Sequence, residues 1–255
     1  VSQAPSRGWA LVTGAARRIG RTLAVAAARS GYDLIVHART EDDGRETAEA
    51  VRALGRRARI LAADLASPDV ADTLIGRLEA GPTLLVNCAS VFEDDRLDTA
   101  TAEGLDRAFA VNVRAPVLLA QAFAAAAPAG TDNLIVNILD QRVLRLDPRY
   151  FSYSISRVAM WGATQMMAQA LGPRVRVNAI GPGPTLASVH QSPAIFEAEA
   201  QATVLQRAVA PEDIALALGY LIEARSVTGQ LIAVDSGQHL AWETPDVVAS
   251  ARPPA

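Results

Sequence analysis

Lysine is absent from this 255-residue chain, so all 24 of its basic residues are arginines. An arginine here carries little information merely for being one, and each must be judged by where its guanidinium falls. Cysteine is nearly absent as well. The single Cys88 excludes an intramolecular disulfide and, with an N-terminus unlike a signal peptide, leads to the expectation of a reducing cytoplasm. Only three histidines occur, His37, His190 and His239, scattered without metal-ligand spacing, so no metal is expected. No uncharged apolar run reaches the ~20 residues of a membrane-spanning helix. Positive charge is not in excess: the net charge is −3 and the pI about 5.7, which argues against nucleic acid or an anionic membrane as partner.

What the chain does have is apolar residues, half of the total, in short runs that alternate with helical patterns. Strand-like runs fall at 9–13, 33–38, 58–63, 83–88, 132–139, 174–180 and 230–234. Helical periodicity occupies 19–30, 42–55, 68–80, 101–127, 151–171 and 211–224. Seven such strands separated by helices predict one α/β, doubly wound domain over 1–255, its seven-stranded and mainly parallel sheet covered on both faces. The stretch 184–207 breaks the rhythm after Gly181-Pro182-Gly183-Pro184 and is expected to be a substrate loop beyond a strand end. Residues 238–255 read as a C-terminal arm.

The first strand runs into Thr13-Gly14-Ala15-Ala16-Arg17-Arg18-Ile19-Gly20. Glycine there permits a tight turn and lets a pyrophosphate approach the free N–H groups of a helix N-terminus. Arg18 stands where a middle glycine is expected. The second strand ends in His37-Ala38-Arg39, without the acid that holds the ribose hydroxyls of NAD. Arg39, with Arg17 facing the same region, suits a 2′-phosphate, so NADP(H) is expected. His37 has no relay partner and reads as structural. Asp64-Leu65 follows the third strand, where a carboxylate can accept from an adenine amino group or cap a helix. Asn87-Cys88-Ala89-Ser90 ends the fourth strand and can line the nicotinamide ribose. Asn112 lies inside a helical pattern, which its amide disfavours, and points to a buried hydrogen-bonding task.

Tyr153 stands four residues before Arg157 and thirteen after Asp140. On a helix, i and i+4 share a face, so phenol and guanidinium can address one ligand. A fixed cation favours the phenolate, and a depressed Tyr153 pKa is expected. Together the Thr13–Gly20 loop, Asp64, Asn87–Ser90, Asn112, Tyr153 with Arg157, and Pro182-Gly183 resemble the short-chain dehydrogenase/reductase family, from Trp9 to about Gly237.

That resemblance implies a Rossmann-type fold, with Asp140, Tyr153 and Arg157 catalytic. It places Gly14, Arg17, Arg18, Ile19, Gly20, His37, Arg39, Asp64, Leu65, Asn87, Ala89, Asn112, Tyr153, Arg157, Pro182 and Gly183 at the cofactor. In detail the chain is most similar to pteridine and dihydromonapterin reductases, in Arg18, His37-x-Arg39, and Asn87-x-Ala89-Ser90 followed by Phe92. Those enzymes also carry aspartate, as at Asp140, where most of the family has serine. The resemblance then implies a small pterin-like substrate held by Arg18, Ser90, Phe92, Asp140 and Tyr153, with Phe92 stacked on the ring, and a homotetramer. Phe92 is alternatively a loop hydrophobe, and Asp140 alternatively pairs with Arg142 or Arg145. Arg157 departs from the family's lysine. It keeps a charge certain at any working pH but spreads it over a wider plane. Reduction of a 3-oxoacyl or small ketone, or a catalytically weak NADP-binding sensor, are the alternatives.

Overall fold

The computed structural model describes residues 5–76, 78, 80–188 and 191–242. His190 and the part of the expected arm from 243 onward lie outside the described residues. Seven strands form the sheet: β1 (Trp9–Val12), β2 (Asp33–Ala38), β3 (Ala58–Ala62), β4 (Leu84–Asn87), β5 (Asn133–Ile138), β6 (Val175–Pro182) and β7 (Leu231–Val234). They pair in the order β3-β2-β1-β4-β5-β6-β7, every pair parallel. The helices are α1 (Arg18–Arg29), α2 (Glu41–Ala53), α3 (Ala102–Phe109), α4 (Ala115–Ala126), α5 (Phe151–Leu171), α6 (Pro193–Gln201) and α7 (Pro211–Glu223).

The apolar runs are nearly unbroken because both sheet faces are covered, and the strand's two-residue period divides them between two cores. Ala10, Val12, Leu34, Val36, Leu84 and Val86 face one side, with Leu23, Ala24 and Ala27 of α1 and Ile214, Leu218 and Leu221 of α7. Leu11, Ile35, Leu85 and Ile135 face the other, against Ala115, Leu119, Ala120 and Phe123 of α4. Phe123 and Leu119 are fully buried, each contributing about 1.5–3 kcal/mol of transfer free energy. Truncating Phe123 to alanine would cost about 3–5 kcal/mol once the cavity is included. The combined 102–126 helix is long and apolar enough to cross a membrane, yet half of its most apolar window is buried inside the protein.

Two expected helices differ from the pattern. Over 68–80 the described residues form only a short helical stretch from 70 to 76, its π-helical turn Asp72–Gly76 closed by glycine, the poorest ordinary helix former. The 101–127 helix is interrupted by a π-helical turn at Ala110–Arg114, centred on Asn112. Such turns widen the helix by one residue and are frequent at functional sites. The 184–207 excursion contains α6, whose N-terminus is capped by the Ser192 hydroxyl accepting from the Ile195 N–H at 3.3 Å. It closes where the Val209 N–H donates to the Pro184 carbonyl at 2.8 Å.

Candidate active site

The strand order reverses direction between β1 and β4, and a crevice outside the carboxyl ends of the strands opens at such a point. A cavity of about 970 Å³ lies there, walled by residues at the ends of β1 to β6 and by α6. At one end is the β1–α1 turn. Gly14 has φ +65°, and a Cβ on it would stand 2.9 Å from the Ala89 Cα. A Cβ on Gly20 would stand 2.1 Å from the Gly14 carbonyl oxygen, so α1 begins in direct contact with the turn. Ile19, between them, also lines the cavity.

Arg18 adopts φ +54°, the left-handed conformation that its place in a glycine loop demands. Its guanidinium donates to the carbonyls of Leu186 at 3.0 Å and Ala187 at 3.1 Å, joining the turn to the 184–207 segment. Arg17, Arg39, Asp64 and Leu65 line the same end of the cavity. Asp64 spends one carboxylate oxygen on the Ala66 N–H at 2.9 Å, a local turn that fixes the chain after β3.

His37 is buried, lines the cavity, and has its ring committed to the fold. Its Nδ1 accepts from the Gly14 N–H at 3.0 Å, which leaves the proton on Nε2, 3.2 Å from the Ala63 carbonyl. Burial pushes the imidazole pKa down and keeps it neutral. It ties together the chain after β1, β2 and β3.

Two residues expected at the cofactor do not line the cavity. Asn87 donates to Asn137 at 2.9 Å beneath the cavity floor. Asn112 is fully buried, accepts from the Val91 N–H at 2.9 Å, and donates to the Val91 carbonyl and Ser156 hydroxyl, each at 3.0 Å. It has the buried bonding task expected of it, holding the chain after β4 against α5. The cavity floor between them is Cys88 and Ala89, whose N–H groups donate to the Thr13 hydroxyl at 2.9 and 3.1 Å. Burial pushes the Cys88 thiol up to about 12, so it stays protonated. Pro182 and Gly183 close the side. A Cβ on Gly183 would meet the Asp235 Cα at 2.7 Å.

Asp140 and Tyr153 meet in the middle. The phenol donates to Asp140 Oδ2 at 2.8 Å. Asp140 Oδ1 accepts the Arg142 N–H at 2.8 Å, and Arg142 Nη1 reaches Oδ2 at 3.2 Å. Asp140 therefore pairs with Arg142, one of the partners expected for it, and also accepts from Tyr153. Arg157 lies with its Cζ 5.0 Å from the Tyr153 ring centre, on the shared helix face. Its Nε is buried without a hydrogen-bond partner.

The expected depression of the Tyr153 pKa is not found. Burial, then the Asp140 carboxylate, raise the phenol well above its ordinary value, and the opposing pull of Arg157 does not overcome them. The spacing of Tyr153 and Arg157 shows the cation but not the desolvation of a buried phenol.

Phe92 is not an isolated platform either. Its ring lies 4.3 Å from that of Tyr150, tilted by 31°, and 4.7 Å edge-on from Tyr153. Ser90 stands exposed at the lip. Tyr150 holds φ +54° at the start of α5, a strained conformation of the sort that clusters at ligand sites. Sequence reasoning missed it, along with Gln191, Phe196, Glu199 and Gln238, which also line the cavity. Only its position three residues before Tyr153 hinted at Tyr150. Gln238 lay in a segment read as an arm.

A family model described as enoyl-(acyl carrier protein) reductase matches residues 14–239. An alternative dihydrofolate reductase from Brucella canis, solved with NADP, superimposes with a TM-score of 0.87. It is 43% identical, over 94% of this chain and 96% of that one. An uncharacterized oxidoreductase of Mycobacterium tuberculosis is 35% identical over 89% of this chain and 90% of its own length. A granaticin polyketide ketoacyl reductase of Streptomyces violaceoruber is 33% identical over 94% and 99%.

Proposed function

The chain belongs to the short-chain dehydrogenase/reductase family, and from that premise we propose that it reduces the ring of a dihydropterin or dihydrofolate-like substrate. The cofactor is NADP(H), as in the solved relative from Brucella canis. The residues present fit it. Gly14 and Gly20 keep the turn tight where a Cβ would collide, and Arg17 and Arg39 line the same end, with Arg39 at the position after β2 where an NAD site carries its acid. When bound, NADPH supplies a hydride; the rest of the chemistry belongs to this chain's side chains.

The observation that carries the substrate reading is the Asp140–Tyr153 hydrogen bond at 2.8 Å. A carboxylate there repels the oxyanion of a ketone under reduction. It suits a pterin, whose amino and ring N–H groups need an acceptor. Tyr153, its proton held by burial, is the donor to the ring nitrogen beside the reduced carbon, a general-acid task. Asp140 accepts from the pterin edge and fixes the phenol. Arg157 favours any negative charge left on the phenol. The Phe92–Tyr150 pair offers aromatic surface to a planar bicycle.

The test is absorbance at 340 nm of NADPH with 7,8-dihydrobiopterin, dihydromonapterin and dihydrofolate. Oxidation by wild type, collapsing in Asp140→Ser and Tyr153→Phe, supports the reading; intact NADPH binding without any pterin oxidation overturns it. Likeness to a ketoacyl reductase supports a second reading, ketone reduction, which turnover of a ketone panel without pterin activity would favour. The reading also carries a homotetramer, supported by Val117, Val158 and Met166, exposed on the outer faces of α4 and α5. Sedimentation velocity tests it, and a monomer would refute it.

A further inference from the structure

Resting on the pterin reading, we infer that Glu199 is a specificity-determining residue that selects dihydropterins with neutral, hydroxyl-bearing side chains over those whose side chains carry carboxylates. Nucleotide-side residues fill the end of the cavity below β1 to β3, and the reacting pair Asp140–Tyr153 sits between that end and α6. A substituent on the substrate ring leads toward the α6 wall, where Glu199 faces the cavity.

The Glu199 carboxylate is fixed by neutral donors from two different segments. Gln191 Nε2 donates to Oε2 at 2.6 Å and Gln238 Nε2 to Oε1 at 2.9 Å. Gln191 is itself braced, accepting from the Ser188 N–H at 3.2 Å. Among the described residues no cation forms an ion pair with Glu199. The guanidiniums of Arg142 and Arg149 feel its charge. Both are committed elsewhere: Arg142 to Asp140 at 3.2 Å and Asp147 at 3.7 Å, Arg149 to Asp147 at 2.6 Å. Beside these two guanidiniums stand three carboxylates, Asp140, Asp147 and Glu199, and of the three Glu199 is held by amides alone.

Amide-held negative charge costs little against a hydroxylated side chain, because Gln191, Gln238 and the carboxylate itself offer donors and acceptors. Against a side chain bearing carboxylates it is a repulsive element, the kind of device by which specificity is built. The repulsion is electrostatic and must weaken with salt, since the Debye length falls from ~10 Å at 0.1 M to ~3 Å at 1 M.

The experiment compares kcat/KM for 7,8-dihydrobiopterin, with its neutral side chain, and 7,8-dihydrofolate, with its anionic one, in wild type and Glu199→Gln at both salt concentrations. The reading is the ratio of the two constants, so a change common to both substrates cancels. Wild type should favour dihydrobiopterin, and Glu199→Gln should lower that ratio roughly five- to tenfold. Salt should lower the ratio in wild type and leave it nearly level in the variant. A ratio unmoved by the substitution overturns the assignment while leaving pterin reduction standing. So does a wild-type ratio indifferent to salt, a measurement that needs no variant to fold. Oxidation of neither pterin discards pterin reduction and this assignment with it.

Discussion

Replacing Asn112 with leucine would separate its structural task from the cofactor role expected of it from sequence. The side chain is similar in size but removes three hydrogen bonds in a place with no solvent access. The Val91 N–H is left without its acceptor, whereas the Val91 carbonyl keeps the Ser90 hydroxyl at 3.3 Å and Ser156 keeps the Tyr153 carbonyl at 2.6 Å. One orphaned buried donor costs about 2 kcal/mol and each further lost bond about 0.5–1 kcal/mol, so the variant should lose about 3–4 kcal/mol. For a chain of this size that is a fall in Tm of about 6–16 °C. Thermal unfolding followed by circular dichroism measures it, and NADPH titration by fluorescence, well below the lowered Tm, measures the other half. Melting should fall as calculated, with NADPH affinity changed less than about threefold. A variant that melts within about 2 °C of wild type but no longer binds NADPH would refute the argument and restore the amide to the cofactor site.

Gly20→Ala should weaken NADPH binding at least tenfold by calorimetry, since its Cβ would stand 2.1 Å from the Gly14 carbonyl; unchanged affinity would mean the turn yields cheaply. The Tyr153 phenol, raised by burial and then by Asp140, holds its proton more tightly folded than unfolded. Its contribution to stability is therefore whole below about pH 10, the unfolded value, and is lost as pH rises through the folded one. Urea unfolding at pH 8 and 10.5 should show a smaller alkaline loss in Tyr153→Phe than in wild type; equal losses would refute the shift. Cys88, pushed up to about 12 by burial, should resist iodoacetamide at pH 8 in the native protein and react readily in urea. Rapid native labelling would show that the cavity floor opens.

The order of elements was legible in the sequence because buried parallel strands print as apolar runs, and the cofactor turn because glycine is sterically required at Gly14 and Gly20. The partnership of Asp140 with Tyr153 was legible because the residue types at that spacing resemble a known pattern. What was not legible depended on the third dimension. Asn112 lies in the same helical run as the core residues, and nothing in one dimension shows that Val91, twenty-one residues earlier, needs its amide. Glu199 resembles any helix-surface glutamate until Gln191 and Gln238 are brought to it from two other segments. Burial energies escaped for the same reason, and the Tyr153 shift came out with the wrong sign.

That sign has a consequence for the arginine at 157. On the pterin reading, a phenol raised by burial and by Asp140 stays protonated until substrate binds but is a weaker acid than a free one, so proton transfer leans on whatever stabilises the phenolate left behind. On that reading the cation beside it has the task of favouring the charge left on the phenol after transfer. Its Cζ lies 5.0 Å from the ring centre and its Nε is buried with no partner. On the pterin reading the arrangement asks for a fixed positive charge on the face of α5 that Tyr153 shares. In a chain with no lysine at all, arginine is the residue that supplies that charge at position 157.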